Sequence, residues 1–204
     1  MSIQLLFGTT NPAKIEYVRT VLKPLPIEIL WLNDLNIDID VAEDGINPGD
    51  NALIKSMAYY RESKIPTFSF DSGLYIEKFS EDKQPGLFVR RINGKKATDQ
   101  EMIDYYISEL DKVGGESKAR WITSVALVLS LDKIYTEDFT ENTVFTSKPS
   151  PITNPGNPLN SIQIDPYFKK YISEITPEER SKTQGQLDIQ IFNFFAAFLK
   201  GILQ

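Results

Sequence analysis

The sequence predicts an α/β protein with a mixed twisted sheet flanked by helices. Three observations predict it: an apolar run that feeds straight into a capped helix, two long β-rich stretches in the middle of the chain, and helix-periodic segments between the strands.

Ile3 to Phe7 is a short apolar run of strand length, followed by GTTNPAK. Asn11 can cap a helix whose first position is Pro12, because proline has no N–H to lose there. Ile15, Val18, Val21 and Leu22 recur at helical spacing, and Pro24 and Pro26 stop the helix. Ile27 to Trp31 reads as a second strand, and Leu35, Ile37, Ile39 and Val41 alternate with polar residues as a half-buried strand would. Asn47, Pro48 and Asp50 start another helix, with Leu53, Ile54, Met57 and Ala58 as its apolar face and Asn51 and Lys55 four apart on one side.

After Pro66, TFSF is a short buried strand ending at DSG, so Asp71 is expected at a strand end, and LYIEKF continues as an alternating strand. Thr98 and Glu101 form a capping box for a helix through Leu110, which Gly114 and Gly115 close. Trp121 to Leu131 and Ile134 to Ser147 are the long β-rich runs, and Lys148 to Pro158 is a loop rich in proline and asparagine. Thr176, Pro177 and Glu179 start a short helix that Gly185 interrupts. The final helix covers the apolar stretch Ile189 to Leu203, too short and too polar to span a bilayer. The length favours one domain, residues 1–204, with two lobes.

Composition removes whole classes of chemistry. There is no Cys and no His, so thiol nucleophiles, Ser-His triads, thiolate zinc sites and disulfides are excluded. Hydrolysis would need carboxylates, lysines and a hard metal. A net charge of -6 opposes a long basic face for duplex nucleic acid, but not a compact phosphate site. The N-terminal residues lack the pattern of a signal peptide, so the expected compartment is the cytoplasm, with no membrane partner.

Three stretches could carry chemistry. TTNPAK offers helix N-terminal amides and Lys14 to a phosphate, although Asn-Pro is also an ordinary cap. Glu43, Asn51 and Lys55 could converge on one cleft, or lie on a solvated helix face. Asp71 in DSG could hold a hard cation, or form a hydrogen-bonded turn.

Their order and spacing resemble the inosine/xanthosine triphosphate pyrophosphatase family, the Ham1-like proteins. Thr9, Asn11 and Lys14 match its Thr-x-Asn-x-x-Lys pattern. Glu43, Gly45, Asn51, Ala52 and Lys55 match its acidic-Gly-Asn-Ala-x-x-Lys segment, and Asp71 to Leu74 its Asp-Ser-Gly-Leu turn. PGLFVRRING is similar to the family's Pro-Gly loop and the region after it, and DPYF at Asp165 to Phe168 to its Asp-Pro-x-Phe. The likeness spans nearly the whole chain.

The resemblance implies two lobes around a nucleotide cleft, a homodimer, and Mg2+ (or Mn2+) as cofactor in releasing pyrophosphate from nucleoside triphosphates such as ITP, XTP and dITP. Glu43 and Asp71 would hold the metal, and Asp71 or a neighbouring carboxylate would orient or deprotonate the attacking water. Lys14 and Lys55 would act catalytically by neutralising the triphosphate, with Thr9, Thr10, Asn11, Asn51 and Ser72 as further phosphate contacts.

Two departures stand out. Phe70 replaces the acid that usually precedes the matched Asp, removing one possible metal or water contact unless Phe70 only extends a buried run. At the base end, Ile162, Gln163 and Ile164 replace Phe-Gly-Tyr, and Lys182, Thr183 and Gln184 replace the Ser-His-Arg of the family's keto-purine reader. The residues left to meet a base are Ile162, Asp165, Arg180 and Gln184. An active pyrophosphatase with shifted base choice is the expectation; the alternatives are a nucleotide binder without turnover and a phosphohydrolase for another substrate.

Overall fold

The computed structural model describes residues 2–181 and 185–202. In chain order the elements are β1 (Ile3–Phe7), α1 (Pro12–Leu22), β2 (Ile27–Trp31), α2 (Pro48–Ser63), β3 (Thr67–Ile76), β4 (Arg91–Ile92), β5 (Lys95–Lys96), α3 (Asp99–Lys112), β6 (Glu116–Ser130), β7 (Lys133–Thr146), β8 (Gln163–Ile164), α4 (Pro177–Ser181) and α5 (Gln186–Ile202). This is the expected mixed sheet with helices. The chain divides into two compact units: the first contains the residues up to Ser72, Thr123–Phe139 and the segment from Gln186, and the second Gly73–Ile122 and Thr140–Gly185.

In the first unit, β1 pairs in parallel with β2, Ile3 opposite Ile27 and Phe7 opposite Trp31, and with β3, Leu6 opposite Thr67. The strand order is β2-β1-β3-β6-β7. Alternation along β1 sends Leu5 and Phe7 to one face and Leu6 to the other, and each face is covered differently. Leu5 and Phe7 join Phe68 and Phe70 of β3, Ile15, Val18 and Leu22 of α1, and Ile191, Phe195 and Phe198 of α5 in one core. The rings of Phe7 and Phe68 stack at 4.6 Å, and Phe70 meets both edge-on. Leu6 packs on the opposite side with Leu32 and Tyr59 of α2. The C-terminal apolar stretch is therefore core.

Three expectations need correction. Residues 35–41 form no strand: a 3-10 turn at Leu32–Leu35 is followed by irregular chain. Leu35, Ile37, Ile39 and Val41 still pack in alternation against Leu6, Leu32 and Tyr59, so the pattern recorded burial without a ladder partner. On α2 the fully buried stripe is Pro48, Asn51, Ala52, Ser56 and Tyr59, and the expected face of Leu53, Ile54, Met57 and Ala58 is only half-buried. Small residues win because the helix lies close to the sheet, with Ser56 Oγ donating to the Ala126 carbonyl at 2.8 Å. Finally, β3 runs unbroken through DSG, so Asp71 is mid-strand and not at a strand end.

The second unit takes the later part of β3, the strands β6 and β7, and β8, in the order β3-β6-β7-β8, with β8 antiparallel to β7. Its core gathers Leu74, Ile76, Met102, Tyr106, Leu110, Phe145 and Ile162. Helix α3 starts at the anticipated capping box, Thr98 accepting from the Glu101 amide and Glu101 from the Thr98 amide. The β4-β5 hairpin turns at Asn93-Gly94, both at positive φ, a standard Asn-Gly signal within RRING. Among the described residues no helix is long and apolar enough to cross a membrane.

Candidate active site

The first unit brings four charged side chains together. Lys55, one turn after buried Asn51 on α2, points its ammonium between two carboxylates, 2.8 Å from Glu43 Oε2 and 3.2 Å from Asp71 Oδ1. The Lys55 and Asp71 side chains are only 12% and 16% exposed, whereas Glu43 is 45% exposed. Lys14 lies close enough to feel all three: burial pushes its pKa down from the ordinary 10.5, Lys55 lowers it further, and Asp71 and Glu43 pull it back up. Among the described residues Lys14 makes no ion pair. Two carboxylates and two ammoniums cancel, leaving one half-buried cation without an anion of its own.

The loop bearing Glu43 is fixed from α2. Asn51 Oδ1 accepts the Gly45 amide at 2.9 Å, and a side chain at Gly45 would meet Asp50 and Asn51 at 2.5 to 2.7 Å. Asn47 caps the helix by accepting from the Asp50 amide, as its sequence position indicates. Asn51 therefore serves the loop with its oxygen; the expectation that it meets a phosphate directly has no support in that bond.

The Thr9-Thr10-Asn11 turn is held just as firmly. Thr9 Oγ1 accepts the Asn11 amide at 3.2 Å, and Asn11 Oδ1 accepts the Lys14 amide at 3.4 Å. Beneath it, a side chain at Gly8 would strike Ser69 Oγ and the Tyr59 ring at 2.5 Å, and Ser69 Oγ donates to the Gly8 carbonyl at 3.0 Å. Trp31, at the end of β2, donates its indole N–H to the Thr9 carbonyl at 2.8 Å. Ser72 shares a hydrogen bond with Thr123 at 3.0 Å. Trp31 and Thr123 escape a sequence reading because only strand register brings them here.

Glu43 and Asp71 suit a divalent cation. They offer oxygen only, and each has a second oxygen beyond the one facing Lys55. Among the described residues no group of three carboxylates forms a ready-made cage. Magnesium characteristically takes one or two carboxylates and completes its shell with water and substrate phosphate, so this donor set fits it.

The base-end residues lie in the second unit and do not converge. Ile162 is 0% exposed in that core, so its expected base contact is corrected: it presents no surface to a ligand. Asp165 Oδ1 accepts the amides of Tyr167 and Phe168, shaping its own turn. Arg180 is exposed on α4, and Gln184 lies outside the described residues. This unit instead contains a groove of about 740 Å³, lined among others by Tyr75, Glu77, Lys118, Arg120 and Asn142, with the Arg120 guanidinium 5.6 Å above the Tyr75 ring.

A sequence model described as the Ham1 family matches residues 5–185. A dITP/XTP pyrophosphatase of Thermoanaerobacter pseudethanolicus is 26% identical over 191 residues, covering 91% of this chain and 92% of its own. Two solved structures share the fold: a HAM1 protein from Coxiella burnetii has a TM-score of 0.81 at 22% identity, over 96% of this chain and 99% of its own. The Staphylococcus aureus Ham1 protein has a TM-score of 0.78 at 18% identity, over 97% and 98%.

Proposed function

The chain belongs to the Ham1 family, and from that premise we propose that it hydrolyses nucleoside triphosphates, with the non-standard purine nucleotides ITP, XTP and dITP as substrates, to the monophosphate and pyrophosphate. The relatives named dITP/XTP pyrophosphatase support the substrate class. The observation that carries the chemistry is the Lys55 bridge between Glu43 and Asp71 beside the unpaired Lys14.

In this reading Asp71 orients the attacking water and takes its proton as the water oxygen bonds to the α-phosphorus. The bond from that phosphorus to the oxygen bridging to the β-phosphorus breaks, and pyrophosphate leaves. Lys14 and Lys55 neutralise the charge that builds on the leaving group, and the turn at Thr9 to Asn11 lines up helix N-terminal dipoles behind it. Glu43 and Asp71 would hold the divalent cofactor, Mg2+ by the hardness of their oxygens, which when bound polarises the phosphates and lowers the charge barrier to attack. Base selection falls to the second unit. A homodimer in the cytoplasm completes the proposal.

The test is pyrophosphate release from a panel of ordinary and deaminated nucleoside triphosphates, with magnesium and with chelator, for native protein and Asp71→Asn. Magnesium-dependent release that the variant lacks is the expected result. Orthophosphate release, or full activity in the variant, refutes it.

A further inference from the structure

We propose that Trp31 is a positioning residue for the triphosphate, acting through the Thr9 carbonyl. The inference rests on the nucleotide pyrophosphatase reading. Trp31 is tied at both ends: its backbone amide donates to Asp34 Oδ2 at 2.8 Å, and its indole N–H to the Thr9 carbonyl at 2.8 Å. The ring packs, partly buried, against residues of both cores of the first unit, which leaves it little rotamer freedom.

The turn it holds carries the polar groups nearest Lys14. The Thr9 amide is bonded to the Phe7 carbonyl, and Thr9 Oγ1 receives the Asn11 amide. The outward Thr9 carbonyl is then fixed by Trp31 alone among these bonds. A peptide plane is rigid, so fixing that carbonyl also fixes the direction of the following amide, that of Thr10. Thr10 is exposed at the bend immediately before α1, where an amide can face an anion. The indole thus orients a donor for phosphate without touching substrate.

The experiment is Trp31→Phe, which keeps an aromatic ring and removes the donor. KM should rise about three- to tenfold, the equivalent of one net hydrogen bond, by the same factor for every base, with kcat within about twofold. The inhibition constant of inorganic pyrophosphate should rise in parallel. A merely structural role would lower the active fraction, reducing kcat while leaving KM and pyrophosphate inhibition unchanged, and that result overturns the proposal. If the variant does not fold, Trp121→Phe leaves Trp31 as the sole indole, since the chain has 2 Trp. Its emission should then shift on adding pyrophosphate, and an unchanged spectrum at saturating pyrophosphate overturns the proposal. Native protein that neither turns over nor binds any nucleotide would instead refute the underlying pyrophosphatase reading.

Discussion

Replacing Lys55 by Met separates the cation-site reading from catalysis itself. Met keeps the unbranched stem and helix propensity, so the change removes chiefly the ammonium. Two bonds are lost. The one to Glu43 is to a carboxylate 45% exposed, where screening leaves about 0.2 to 1 kcal/mol. The one to Asp71 joins side chains 12% and 16% exposed, and stranding that carboxylate costs about 1 to 3 kcal/mol. The sum is about 2 kcal/mol, or roughly a 1 M fall in the urea midpoint for a slope near 2 kcal/mol/M. Because the variant leaves two carboxylates facing each other without their shared cation, magnesium should restore stability. At ten times a millimolar dissociation constant the recovery is about 1.4 kcal/mol. Urea unfolding of native and variant protein at zero and 10 times that magnesium concentration measures both effects. A variant destabilised as expected but indifferent to magnesium, manganese and calcium would refute Glu43 and Asp71 as a cation site.

Other perturbations give separate readings. Gly8→Ala should destabilise by about 1 to 3 kcal/mol in chemical denaturation, because the added carbon meets Tyr59 and Ser69 at 2.5 Å in a packed interior. Phe70→Asp, which restores the family's acid, should lose at least about 3 kcal/mol and gain no activity, since the ring is 6% exposed among Phe7 and Phe68. Lys14→Met should raise the thermal midpoint of the nucleotide-free protein at neutral pH. Burial depresses this lysine, so its penalty is complete below the folded pKa and fades as pH rises towards 10.5; the gain from the substitution should fade over that same window. Bound triphosphate favours the charged amine, so native nucleotide affinity should fall as pH climbs through the lowered pKa, and calorimetry should show proton uptake there.

The fold was legible wherever one local signal sufficed. Asn11-Pro12, Asn47-Pro48-Asp50 and Thr98-Glu101 mark the starts of α1, α2 and α3 because caps are written in adjacent residues. What depends on distant partners was not. Residues 35–41 carry a strand's alternation, but a strand needs a neighbour's ladder, and here the alternating side chains bury themselves without one. The inward face of α2 was set by closeness to the sheet, which favours Ala52 and Ser56 over larger Leu53 and Ile54. The cluster of Lys14, Glu43, Lys55 and Asp71 was found through motif spacing, whereas Trp31 becomes visible only when Phe7 is placed opposite it in the β1-β2 register.

Strand geometry also decides what the loss of the acid at position 70 means. Successive side chains on β3 point to opposite faces. Phe68 and Phe70 point into the core under α1 and α5, while Asp71 points to the side where α2 presents Lys55. In this chain, therefore, position 70 does not share a face with Glu43, Lys55 or Asp71, and the phenylalanine fills a core site that a carboxylate could not occupy without a partner. Its presence removes nothing from the charged cluster. The idea of a nucleotide binder that has lost turnover drew its main support from that substitution, and the facing of β3 withdraws it. What distinguishes this chain from its relatives is then confined to the second unit, where Ile162 is sunk in the core and Asp165 is engaged by its own turn. Divergence should accordingly show in the ranking of bases and not in the magnesium dependence or in the identity of the product.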